Sequence, residues 1–275
     1  MPGVLYIVAT PIGNLEDITA RALRILRETA VVACEDTRHT AKLLAHFGIR
    51  TPTVSYHQHN EAKRTGEMLA RLAAGEDVAL VSDAGTPMVC DPGARLAGAA
   101  IEAGYRVVPV PGPSALLAAL SASGLAADEF RFCGYLPSKA AQRRKKLEAL
   151  AGEPVALIFH EAPHRAIEMM RDLAAILEGR GVVLARELTK IHEEILRGQP
   201  SEVLAALSSR PDLRGEITVV VGPPEAGRAG VADGDILREV EALVGSGLPR
   251  PAAIKAAAHR LHVPKRRVYR LLLEA

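Results

Sequence analysis

Val78-Ala79-Leu80-Val81-Ser82-Asp83-Ala84-Gly85-Thr86-Pro87 is the stretch that decides the fold: an apolar run passes directly into a Gly/Pro loop. A short apolar segment ended by such punctuation reads as a buried strand feeding a turn. The pattern recurs on either side. Thr10-Pro11-Ile12-Gly13-Asn14 follows Leu5-Tyr6-Ile7-Val8, and Pro111-Gly112-Pro113-Ser114-Ala115 follows Val107-Val108-Pro109-Val110. Open α/β sheets bind small molecules at the carboxyl ends of their strands, so three such loops predict one shared crevice. None reads G-x-G-x-x-G or G-x-x-x-x-G-K-[ST], so the usual backbone cradles for a pyrophosphate or a nucleoside triphosphate are missing. Proline and glycine offer rigid carbonyls and close backbone approach, which suits a nucleoside or a sulfonium better than an anion. Any one loop alone reads first as an ordinary β-to-α turn.

Outward from that stretch, strand-like and helical runs alternate. Strands are predicted at residues 5–9, 30–34, 53–56, 78–82 and 105–110. Helices are predicted with Thr37 before residues 38–46, Asn60 before 61–74, and Asp91-Pro92 before 93–103, each followed by a glycine. This βαβα rhythm predicts a mainly parallel sheet covered on both faces. Pro109, Pro111 and Pro113 mark the expected hinge, which gives a first α/β domain over residues 1–112 and a second over 113–224. The second opens on a helix at 114–123. It has strands at 129–135, 154–160, 181–187, 193–197 and 216–222 and helices at 140–151, 164–178 and 201–209. Short links between several strands predict a mixed sheet.

A Gly/Ala/Pro-rich linker then leads to a helical tail, residues 233–275, with helices at 235–244, 251–261 and 264–273 and a turn at His262-Val263-Pro264. A helix pair with a short turn and a basic second member resembles a helix-turn-helix unit. From Arg250 onward there are seven Lys/Arg and one Glu, a local charge of +6 on a chain whose net charge is +2. Lys265, Arg266 and Arg267 are the densest part of it, and they are candidate RNA contacts.

Aromatic residues are 3% of the chain and tryptophan is absent, which argues against a nucleic-acid surface built on stacking platforms and leaves charge to make any RNA contact. Cys34, Cys90 and Cys133 are scattered and unpaired in sequence, so neither a disulfide framework nor a thiolate zinc site is indicated and a reducing cytoplasm is expected. No basic n-region precedes the first apolar run, and residues 114–127 are too short to span a bilayer, so no membrane association is expected. His57/His59 and His160/His164 have no Cys or fixed carboxylate partner and read as helix-start or surface histidines, with no metal site.

Further tags accompany the three loops: Cys34-Glu35-Asp36-Thr37-Arg38, Gly134-Tyr135-Leu136-Pro137-Ser138-Lys139, His160-Glu161-Ala162-Pro163-His164-Arg165, and Arg186-Glu187-Leu188-Thr189-Lys190 with His192-Glu193-Glu194. In this order they resemble the tetrapyrrole methylase superfamily of S-adenosylmethionine-dependent methyltransferases, and within it the branch that methylates a cytidine ribose in small-subunit ribosomal RNA. The resemblance covers residues 4 to 222. It implies two α/β domains with S-adenosylmethionine in the cleft between them, usually a homodimer, and small-subunit rRNA or the assembled 30S subunit as partner. It places the cofactor against Pro11 and Ile12, then Gly85, Thr86 and Val89, then Ser114 and Ala115. The second domain would add His160, Glu161, Ala162, Glu216 and Ile217.

A ribose hydroxyl becomes a good nucleophile as its proton leaves, so a base or an orienting group is sought. Asp36, Glu161, Glu187 and Lys190 are the candidates. Each has a structural alternative: Asp36 as a helix cap, Glu161 as a holder of cofactor polar atoms, and Glu187 as the partner of Arg186 or Lys190. Lys139, Arg143, Arg144, Lys145 and Lys146 form a basic run, which reads either as a solvated helix face or as a phosphate contact beside the preceding loop. Two other functions compete with rRNA methylation. One is carbon methylation of a tetrapyrrole, which leaves the basic tail unexplained; the other is a ligand-sensing nucleic-acid regulator, which leaves the cofactor loops without chemistry.

Overall fold

A computed structural model describes residues 1–125, 128–210, 212–224, 233–261 and 265–274. The chain divides into two units, residues 1–122 with 185–194, and residues 123–184 with 195–275. A linear division of the chain does not show this return of residues 185–194 to the first unit.

The first unit contains β1 (Val4–Val8), α1 (Ala20–Glu28), β2 (Val31–Cys34), α2 (Thr37–His46), β3 (Thr53–Ser55), α3 (Glu61–Ala73), β4 (Val78–Leu80), α4 (Ala94–Glu102), β5 (Arg106–Val110) and α5 (Ala115–Ser123). Its sheet has the order β3-β2-β4-β1-β5, and every recorded pairing is parallel. Side chains alternate across a strand, so each strand feeds two cores. Val8, Val32, Cys34, Ala79 and Val81 pack with Ile25, Leu26 and Leu44. Leu5, Ile7, Val31, Ala33, Val78 and Leu80 pack with Met68, Leu72 and Leu96 on the opposite face. Helices α1 and α2 thus cover one face and α3 and α4 the other. Helix α1, absent from the predicted elements, starts where the Thr19 side chain accepts from the Ala22 amide and buries Ala22, Ile25 and Leu26.

Helix starts differ from expectation at α2 and α3. The cap of α2 is Asp36 and not Thr37; its carboxylate accepts from the Arg38 amide at 2.8 Å, and Thr37 is already helical. Asn60 stands at the start of α3 but makes no capping bond, because its Oδ1 accepts from the His57 amide at 2.9 Å.

The second unit contains β6 (Phe130–Tyr135), α6 (Ala140–Leu150), β7 (Ala156–Glu161), α7 (Pro163–Ile176), β8 (Val182–Arg186), β9 (Glu194–Gly198), α8 (Pro200–Ser208) and β10 (Ile217–Val221). The order is β6-β7-β10-β8-β9, with β6 parallel and β10 antiparallel to β7, a mixed sheet as expected. Buried Arg180 donates to the carbonyls of Gly222, Glu153 and Val155, which ties the approach to β8 to the end of β10 and the approach to β7. Desolvation lowers the pKa of that guanidinium to about 10. The tail forms α9 (Asp233–Gly245), α10 (Arg250–Arg260) and α11 (Lys265–Glu274) around an apolar centre of its own, with Ile236, Val240, Leu243, Ala253, Ile254, Ala257 and Val268. The expected turn at His262-Val263-Pro264 and the side chains of Lys265, Arg266 and Arg267 lie outside the described residues. Among the described residues no helix is long and apolar enough to cross a membrane.

Candidate active site

The three Gly/Pro loops leave β1, β4 and β5, which stand side by side in the first sheet. They are also bonded to one another. The Thr10 and Gly85 backbones exchange two hydrogen bonds of 2.9 and 3.0 Å, Thr10 Oγ1 donates to the Ser82 carbonyl, and Thr86 Oγ1 donates to the Pro113 carbonyl at 3.2 Å. Pro11, Ile12, Gly85, Thr86, Val89, Ser114 and Ala115 therefore belong to one cluster of loops at the carboxyl edge of the sheet.

Gly85 sits at φ +76°, a conformation that favours glycine, and a Cβ there would touch Ile12 Cγ2 at 3.4 Å, so its backbone packs directly against the first loop. No Lys or Arg occurs at residues 10–13, 82–89 or 111–115. A cradle of backbone groups without cations fits an uncharged nucleoside and a sulfonium, and S-adenosylmethionine carries both.

The segment 185–194 lies against the first of these loops. Thr189 Oγ1 accepts from the Asn14 amide at 3.0 Å. A Cβ on Gly13 would stand 2.4 Å from Lys190 Cγ, 2.8 Å from Thr189 Oγ1 and 3.1 Å from the Leu188 carbonyl oxygen, so only glycine leaves room for the segment. Among the described residues the non-glycine positions with positive φ are Met88, Cys90, Glu187 and Thr189. All four fall in the loop after β4 or in this segment, and backbone strain concentrates at functional sites.

The candidate acids and bases separate clearly. Asp36 caps α2 and holds Arg38 through both oxygens, at 3.1 and 2.7 Å, which keeps its carboxyl well below the usual range and makes it a poor base. Glu187 Oε1 and Lys190 Nζ form an ion pair of 2.8 Å beside the Pro11–Gly13 loop, while Arg186 pairs with Glu194. Sequence spacing within the tag suggested the Glu187–Lys190 pair; its place beside Gly13 was not legible.

In the second unit, β7 and β10 bring the other expected cofactor residues together. Glu161 is the register partner of Ile217, His160 that of Thr218, and Glu216 precedes β10. His160 Nδ1 lies 3.1 Å from Thr218 Oγ1, and the ring packs near Phe132 and Tyr135. Burial lowers the His160 pKa, with Glu216 opposing, which favours the neutral ring. The Glu161 side chain is fully buried: Oε1 accepts from the Ala162 amide at 2.9 Å and faces Arg165, whereas Oε2 has no partner. Burial pushes its pKa up. A buried carboxylate oxygen without a donor fits a holder of ligand polar atoms better than a base for a bulky substrate.

One predicted contact is corrected. Arg143 is 2% exposed, and its Nε donates to Asp172 at 2.7 Å, so it is a core ion pair rather than a phosphate contact. The i, i+3/i+4 pattern that buries Leu147 and Leu150 of α6 carries residue 143 inward as well. Arg144 also donates to Asp172, at 2.8 Å, but remains exposed, as do Lys139, Lys145 and Lys146. Among the described residues no group of three or more His, Cys, Asp or Glu side chains is placed to hold a metal.

The model of the family described as Tetrapyrrole (Corrin/Porphyrin) Methylases matches residues 4–204. The chain belongs to the tetrapyrrole methylase family. Members similar to it over almost their whole length include the proteins named ribosomal RNA small subunit methyltransferase I of Pseudomonas aeruginosa, 49% identical over 99% of this chain and 97% of that one, and of Escherichia coli O157:H7, 46% identical over 99% and 95%. Among solved structures the uroporphyrin-III-C-methyltransferase of Thermus thermophilus is similar at TM-score 0.58 and 25% identity, over 80% of this chain and 94% of that one. The tetrapyrrole methylase match contains all three loops, the 185–194 segment and the His160–Ala162 turn; it ends before Glu216, Ile217 and the tail.

Proposed function

We propose that this protein is an S-adenosylmethionine-dependent methyltransferase that modifies the 2′-hydroxyl of a cytidine in small-subunit ribosomal RNA. The observation that carries this reading is the near-full-length similarity to proteins named ribosomal RNA small subunit methyltransferase I, which extends over 99% of the chain, beyond the family match that ends at residue 204. A tetrapyrrole carbon methyltransferase would need no basic tail, and a mere ligand sensor would need no acceptor chemistry.

When bound, S-adenosylmethionine supplies a methyl group already activated on a sulfonium. The protein then has chiefly to align an acceptor, and such positioning is worth roughly 7–11 kcal/mol of a barrier. In this reading Pro11, Ile12, Gly85, Thr86, Val89, Ser114 and Ala115 hold the cofactor, with His160, Glu161, Ala162, Glu216 and Ile217 contributed by residues 113–224. The Glu187–Lys190 pair handles or orients the acceptor proton, because of the four candidates only these two combine a polar head with a place beside the first loop. Lys139, Arg144, Lys145 and Lys146 meet phosphates, and residues 233–275 add affinity for RNA. We place the enzyme in the cytoplasm as a homodimer acting on rRNA or the assembled 30S subunit.

The test is methyl transfer to small subunits purified from cells lacking the protein, followed by nucleoside mass spectrometry. A ribose-methylated cytidine is expected. Label on a base, on a protein or on a uroporphyrinogen-like substrate would refute the assignment.

A further inference from the structure

The tail carries a cleft that neither the cofactor loops nor the basic face of α6 explains. It opens between the first half of α10 and the middle of α11, has a volume of about 380 Å³, and is lined by Arg250, Pro251, Ile254, Tyr269 and Leu272. Ligand sites of small molecules span roughly 300–1,000 Å³, so the cleft is large enough to take a planar group. Ile254 belongs to the buried centre of the tail, whereas Tyr269 is 42% exposed. A tyrosine and an arginine thus line one largely apolar site.

We propose that this cleft takes one unstacked nucleobase of the RNA substrate, laid on Tyr269 and bracketed by Arg250. The inference rests on the reading of the chain as an RNA methyltransferase and adds where the tail grips its substrate. Charge selects the occupant. Residues 250–275 hold seven Lys/Arg against one Glu, which attracts a polyphosphate backbone and gives an apolar peptide nothing to pair with. A base offers a π-face to both the tyrosine ring and the guanidinium plane, the way unpaired RNA bases are held on proteins. The scarcity of aromatic residues excludes a row of stacking platforms, but it leaves a single one beside basic residues.

The experiment uses the full-length protein and fluorescence anisotropy with a labelled single-stranded RNA of roughly ten nucleotides, against the same sugar-phosphate strand lacking its bases. The base-bearing strand is expected to bind about ten-fold more tightly. Tyr269→Phe should keep that preference and Tyr269→Ala should erase it, with an unchanged unfolding transition showing that the variant is folded. Equal affinity of the unaltered protein for both strands, or a preference that survives Tyr269→Ala, overturns the proposal, as does an acidic peptide that displaces the RNA while the base-free strand cannot. Methyl transfer to small subunits by the unaltered protein is measured alongside. Its absence overturns the functional reading, whereas missing base preference with methylation intact overturns the cleft alone.

Discussion

Arg143 and Asp172 show how far a charge run can mislead at the scale of one residue. In sequence Arg143 is indistinguishable from Arg144, Lys145 and Lys146; in the fold it is 2% exposed and bound to a carboxylate that is itself 2% exposed. Removing one partner of a buried pair costs about 3–5 kcal/mol where nothing else compensates the remaining charge, but Asp172 keeps Arg144 as a second partner at 2.8 Å. Arg143→Ala is therefore expected to lower unfolding free energy by less than that, about 2 kcal/mol in urea titrations, while Arg144→Ala costs less still and weakens RNA binding instead. Near-equal losses from both would return Arg143 to the surface. In the sequence Asp91 reads only as part of a helix start, because what else distinguishes it is burial. Desolvation, reinforced by Glu35 and Asp83 and opposed by a Ser82 hydrogen bond, pushes its pKa up to about 6. An unfolded aspartate releases its proton near pH 4, so between about pH 4 and about pH 6 the folded state binds more protons and stability falls as pH rises. Partial exposure screens the effect to on the order of 1 kcal/mol. Asp91→Asn should flatten that part of the stability–pH curve, and an unchanged slope in chemical denaturation would discount the shift.

Elements were more legible than residues, and the exceptions have physical causes. The three loops are ended by Gly and Pro and could be read locally, but the bonds that join Thr10 to Gly85 and Thr86 to Pro113 link positions 75 and 27 apart, beyond the reach of any periodicity. Helix α1 carries its signals locally: Thr19 is a sound cap and Ala22, Ile25 and Leu26 have helical spacing. The 185–194 segment was read as a tag with candidate chemistry, yet its partner, Gly13, could be found only from the fold. Gly13→Ala tests that partnership. The new methyl group meets the backbone oxygen of Leu188 and the side chains of Thr189 and Lys190, and overpacking of this kind costs about 1–3 kcal/mol. We expect a lower melting temperature and weaker S-adenosylmethionine binding by calorimetry, since displacing the segment also distorts the Pro11–Ile12 turn. Within the same element, Glu187→Gln or Lys190→Met should lower kcat by about 10²–10⁴ while leaving cofactor affinity unchanged. A fall in affinity or stability with an unaltered kcat would make the ion pair a brace for a strained loop and nothing more.

At the scale of the whole molecule, the proposed function assigns the cofactor to loops without cations and much of the substrate grip to the tail. The cofactor loops carry no Lys or Arg, whereas the last 26 residues carry a charge of +6, from seven Lys/Arg and one Glu. The tail also has an apolar centre distinct from those of the two sheets, so its removal takes no residue out of either α/β core. Deleting residues 233–275 is therefore expected to leave S-adenosylmethionine affinity and the unfolding of the remainder nearly intact. RNA binding should weaken, and its dependence on salt should weaken with it. Each phosphate neutralised by the protein contributes about 0.7–0.9 to the slope of log affinity against log salt, because bound counterions are released with it. If four of the seven cations meet phosphates, the truncated enzyme loses roughly 3 from that slope. The Lys139, Arg144, Lys145 and Lys146 surface remains and sets the residual slope, so reversing Arg144 and Lys145 to Glu in the truncated protein should bring it near zero. Filter binding over a salt series measures both changes. A truncation that weakens RNA binding without altering the slope would mean that the tail acts through shape and stacking alone, and one that alters neither would confine substrate recognition to the α/β domains.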